Sequence, residues 1–67
     1  MMEVIIIDEV GGLWELNMNH IPRLGEKVII SNKIYTVTNI NWIINEKTLA
    51  YKCQIFILKN YDYEKSN

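Results

Sequence analysis

Residues 33–59 read KIYTVTNINWIINEKTLAYKCQIFILK and hold most of the β-branched and aromatic side chains of the chain. The composition predicts two long strands, residues 34–44 and 48–58, joined at Asn45-Glu46-Lys47. The first of them changes phase partway along. Tyr35 and Val37 share one face, whereas Ile40, Trp42 and Ile44 fall on positions of the other parity, so the alternation slips near Thr38-Asn39. A strand repeats every two residues, so such a slip requires either a β-bulge or a strand that serves two layers in turn. Either way the strand bends, and small barrels are wrapped from long bent hairpins. With Ile40 and Ile44 directed at the core, Trp42 is expected to pack there with them.

A chain of 67 residues makes one domain, in a size range where a single core is only marginally stabilising. Its hydrophobic content of 49% is more than so small a core encloses, and the surplus is expected at a subunit or partner interface. One cysteine permits no intrachain disulfide, and one cysteine with one histidine cannot build a Cys/His zinc site within one chain. No run is long enough to span a bilayer, and the start lacks a basic region followed by an apolar segment. The expected location is therefore a reducing cytoplasm, that of the host cell if the chain is viral. A net charge of −1 is too little positive charge to hold a phosphate backbone nonspecifically.

Outside the long hairpin, residues 3–10 read as a strand with Val4, Ile5, Ile6 and Ile7 in an unbroken apolar run, hence central or pressed against a neighbour. Gly11-Gly12 suits a tight turn, and residues 13–18 return with Trp14, Leu16 and Met18 on one face. Residues 19–25 carry the single proline, Pro22, and Gly25, a candidate left-handed turn position. Residues 27–30 form a short strand that Ser31-Asn32 turns into the hairpin. Residues 1–58 are read as the β-barrel domain and residues 59–67 as a polar C-terminal tail, ordered only if Tyr61 and Tyr63 find a surface. The expected fold is all-β, a small five-stranded antiparallel SH3-like barrel.

The segment Pro22-Arg23-Leu24-Gly25-Glu26-Lys27-Val28, followed by Lys33-Ile34-Tyr35-Thr36-Val37 and Trp42, resembles a pattern in small accessory proteins of bacteriophages and integrated elements. In those proteins a Pro-Arg-x-Gly-Glu-x-Val turn precedes a Tyr-x-Val strand. The resemblance covers the middle half of the chain, implies an SH3-like barrel and a phage origin, and carries over no catalytic residue.

Direct search for chemistry finds little. His20 has no orienting carboxylate and nucleophile nearby in sequence, Cys53 sits among apolar residues of a strand, and the acids are scattered over different elements. Gly11-Gly12 lacks the helix and lysine of a phosphate loop. The expectation is a protein that is not an enzyme and uses no cofactor and no metal. Aromatic faces beside cations suit a nucleotide-like ligand, which gives Trp14, His20, Arg23, Lys33 and Tyr35 as candidate ligand-binding residues. The last strand has no polar side in its later half, so Phe56 and Leu58, with Ile5 and Ile7, are expected at an interface between copies. Together with the phage resemblance these features lead to an antagonist of host defence that sequesters a nucleotide-like signal or caps an effector protein. A protein-interaction or virion-assembly module is the alternative, and single-stranded nucleic-acid binding ranks third.

Overall fold

Residues 2–60 are described by the structure, a computed structural model. Five strands form one sheet: β1 (Met2–Ile7), β2 (Leu13–Met18), β3 (Lys27–Ile30), β4 (Lys33–Ile44) and β5 (Tyr51–Lys59). Their spatial order is β2-β1-β5-β4-β3, and the sheet curls into a half-barrel. The all-β expectation therefore holds, while the all-antiparallel arrangement needs correction. β1 and β5 pair in parallel, with Val4 opposite Cys53 and Ile7 opposite Phe56. The reason is parity. A chain that reverses at every connection sends β1, β3 and β5 the same way, so placing the first strand beside the fifth makes that one ladder parallel.

The phase slip is a β-bulge. The register with β5 shifts between Val37 and Asn39, and the Thr38 hydroxyl donates to the carbonyl oxygen of Phe56 at 3.2 Å. The extra residue returns Ile40, Trp42 and Ile44 to the concave face already occupied by Tyr35 and Val37. One strand thus lines one core along its whole length. That core consists of Val4, Ile6, Tyr35, Val37, Cys53, Ile55 and Ile57, with Met2, Trp14, Met18, Ile21, Val28, Ile30 and Ile40 packed around it.

The turns explain where strands stop. β1 ends at Ile7, three residues before the expected end of the strand at Val10, because the Asp8 carboxylate accepts the N–H groups of Val10 and Gly12 at 3.1 and 2.6 Å. At Ser31 and Asn32 φ is 51° and 67°, the left-handed pair that a two-residue hairpin requires. The β4–β5 connection is longer than the expected three residues, and β5 starts at Tyr51. Asn45 organises it: its side-chain oxygen accepts from the N–H groups of Lys47 and Thr48, and its carbonyl from Leu49, which sits at φ 61°. At its other end β5 runs through Lys59, and Asn60 donates its N–H to the Ile34 carbonyl. The reading of Tyr61 and Tyr63 lies outside the described residues.

The segment that carries the phage resemblance is a type II turn. Glu26 N–H donates to the Arg23 carbonyl at 3.0 Å, Gly25 has φ 85°, and the Glu26 carboxylate accepts the Arg23 N–H at 2.9 Å. Gly25 N–H donates to Val37 O, and Val37 N–H to Glu26 O, which fastens the turn beside the bulge. A Cβ at Gly25 would meet nothing within 4 Å, so Gly25→Ala pays only the torsional cost of a left-handed L-residue. We expect it to lower the unfolding free energy by about 1–2 kcal/mol in urea denaturation. An unchanged midpoint would show that the turn does not need that conformation.

Candidate binding seam

Among the described residues β2 pairs only with β1, and β3 pairs only with β4. Curling of the sheet brings these two edges to opposite sides of one apolar cleft of about 450 Å³, lined by Ile6, Trp14, Leu16, Met18, Val28 and Ile30 together with Ile29 and Ser31. The side chains arrive there by alternation. The register Met2–Met18, Val4–Leu16 and Ile6–Trp14 sets one whole face of β2 on the concave side, and Val28 opposite Tyr35 does the same for β3. Trp14 and Tyr35 meet edge-on across the interior, with ring centroids 6.3 Å apart and planes at 68°.

The five candidate ligand residues are not gathered into one pocket. Trp14 lines the cleft, whereas Tyr35 is buried beneath it at 6% exposure. His20 is exposed in the β2–β3 loop, Arg23 contributes its backbone to the type II turn while its side chain is exposed, and exposed Lys33 opens β4 opposite Ile30. Among the described residues no cation lines the cleft that Trp14 lines. The four interface candidates do share a face. Ile5, Ile7, Phe56 and Leu58 all project from the convex side, with Ile7 directly between Leu13 and Phe56 across the sheet. Leu58 is 48% exposed and the other three are half-buried.

Two groups of residues escaped the sequence reading. Leu16, Met18, Val28 and Ile30 complete the cleft; the period-two pattern of β2 announced their face, but nothing local announced that β3 would lie opposite. Trp42 is the second case. It lies on the predicted face yet is 52% exposed, because β1 and β3 do not extend over that end of the hairpin and, among the described residues, its ring partner is Tyr51, at 6.4 Å edge-on.

Cys53 is fully buried between Val4 and Trp42 on the neighbouring strands, and burial pushes its thiol up from the ordinary value. Among the described residues no three of His, Cys, Asp and Glu come close enough to share a metal ion, and no helix is long and apolar enough to cross a membrane.

The fold and the seam define a curled half-barrel that keeps an apolar gap between its edge strands. The chain belongs to the family described as Protein of unknown function (DUF3913), whose model matches residues 3–55 and so takes in β1 to β4 and the first half of β5. No curated protein and no solved structure matches it.

The raised Cys53 pKa makes a signed prediction. The folded state holds the neutral thiol more tightly than the unfolded chain does, so this contribution is full below the unfolded thiol pKa of about 8.5 and is lost as pH rises through the higher folded value. The stability difference between the wild type and Cys53→Ala, measured by denaturant titration, should be flat up to about pH 8 and shrink above it. A difference that grows with pH would mean that the thiolate is the form the fold favours.

Proposed function

We propose that this chain is a non-enzymatic binding protein that caps a protein partner by accepting one of its extended segments into the seam between β2 and β3. The observation that supports this reading is the pair of one-sided edges flanking a single apolar cleft. An extended segment presents N–H and C=O groups to both sides and alternate side chains to one face. Laid in the seam, it would satisfy the backbone of both edges while every second side chain entered among Trp14, Leu16, Met18, Val28 and Ile30. In the setting implied by the phage resemblance, the capped protein is a host effector or a virion component.

Capture of a nucleotide-like signal asks for something else. Its phosphates need fixed cations or a cradle of N–H groups, and its base needs an open aromatic face. The lining of the cleft is apolar apart from Ser31, and Arg23 and Lys33 lie outside it. Geometry therefore favours the protein-capping arm of the expectation over the nucleotide arm.

A thermal-shift comparison separates the two. Synthetic eight-residue peptides alternating Val or Phe with Thr should raise the melting temperature by roughly 10 °C or more at about 100 times their Kd. Trp14→Ala should abolish that rise. A panel of cyclic and linear nucleotides should leave the melting temperature unmoved. Stabilisation by a nucleotide, with no response to any of the peptides, would overturn the capping reading in favour of signal capture.

A further inference from the structure

A third free edge lies at the opposite end of the molecule. β3 and the Arg23–Glu26 turn cover the outer side of β4 only as far as Val37, and residues 39–44 pair with β5 alone among the described residues. Asn45 donates its N–H to Ala50 of the hairpin, so by the two-residue period the backbone groups of Ile44, Trp42 and Ile40 point away from β5. The N–H of Ile40 is taken by the Asn39 side-chain oxygen at 3.0 Å. Those of Trp42 and Ile44 have no partner among the described residues. No lysine, arginine, acid or proline interrupts this stretch, and these are the residues with which exposed edges are usually blunted.

The geometry points to a two-fold dimer in which residues 39–44 of two copies of this chain pair antiparallel, joining their sheets edge to edge. Two features argue for a second copy. The first is area. Trp42, Ile43, Ile44, Leu49 and Tyr51 are each 43–74% exposed around this edge. At about 100 Å² apiece they present roughly 500 Å² of apolar side chain, to which the backbone edge adds. A stable interface buries about 800 Å² per partner, so this one patch supplies the apolar centre of an interface of that size. The second is charge. Pairing centred on Trp42, opposite its own copy, sets the tip of one hairpin, with Glu46 next to Lys47, beside the turn of the other copy that carries Arg23, Glu26 and Lys27. Arg23 and Lys27 outnumber Glu26 in that turn, which leaves it one net positive charge to set against Glu46. Symmetry repeats the same contact on the other side.

This dimer uses neither the seam between β2 and β3 nor the convex face that carries Ile7 and Phe56, and it needs no partner for its test. Failure of the dimer would leave the capping reading untouched, and the reverse also holds.

Sedimentation equilibrium on the full chain, with circular dichroism to report folding, gives the test. The wild type should be dimeric at micromolar concentrations. Ile44→Pro removes an edge-facing donor without touching the ladder to β5, and Ile44→Lys places a charge on the edge; each should raise the dimer Kd by about 100-fold or more with the strand signal retained. Should either variant fail to fold, the exposed Glu46→Lys still reads the contact. It should weaken the dimer several-fold, and Glu46→Lys combined with Arg23→Glu should restore it. A wild type that stays monomeric at about 200 μM, where even a weak interface assembles, would overturn the inference. So would a dimer that survives the Ile44 variants and dissociates with Phe56→Lys, or one that Glu46→Lys leaves unchanged.

Discussion

The parallel ladder between β1 and β5 is the constraint on which the rest of this structure depends. It joins the N-terminal hairpin of β1 and β2 to the three-stranded meander of β3, β4 and β5. Neither part encloses a core alone. A two-stranded hairpin is marginal in water, and the meander has one apolar face with nothing over it. With Val4 beside Cys53 and Ile6 beside Ile55, the two apolar faces become one concave surface, and four of the seven buried core residues lie in this single ladder. Burying each such side chain is worth about 1.5–3 kcal/mol, a large share of the net stability available to a domain of this size.

The same ladder fixes where the molecule stays open. With β1 and β5 in the middle, β2 and β3 are forced to the two ends of the sheet, and a five-stranded sheet of such short outer strands curls without closing. The seam follows from that arithmetic, and so does its apolar character, since the face it exposes is the continuation of the core. The bulge after Val37 acts in the other direction. By returning Ile40, Trp42 and Ile44 to the concave side, it extends the apolar face past the point where β1 and β3 end. An edge with exposed Trp42 and Ile44 results, and the long axis of 53 Å against 21 and 18 Å records how far the structure reaches along the strands.

Much of this was legible along the chain. The bounds of β2 and β3 agree with the alternation and turn residues that surround them, and the slip of parity at Thr38-Asn39 is the bulge. Local patterns of this kind are set by neighbours one to four residues apart, so they survive in the primary sequence. What misled was equally physical. The strand read through Val10 suggested a longer β1, but the two N–H groups that donate to the Asp8 carboxylate outweigh the strand preference of one valine. Arg23 beside aromatic residues suggested a ligand site, yet the spacing Pro22 to Glu26 is explained by a turn whose backbone is tied to Val37. Trp42 had the right parity for the core, but among the described residues no strand lies over it to make one.

By itself the amino-acid order determined strand identity, strand faces and the places where the backbone must reverse, because these depend on side-chain alternation and on residues such as Asn32, Asn45 and Gly25 that tolerate or cap unusual dihedrals. It also determined that the convex face would be greasy at Ile7 and Phe56. Only the tertiary structure decided which strands are neighbours, that one pair runs parallel, and therefore which apolar residues are enclosed and which are left at an edge. Adjacency is a contest between whole faces of strands some fifty residues apart, such as Val4 and Cys53, and no short-range pattern in the chain records its outcome.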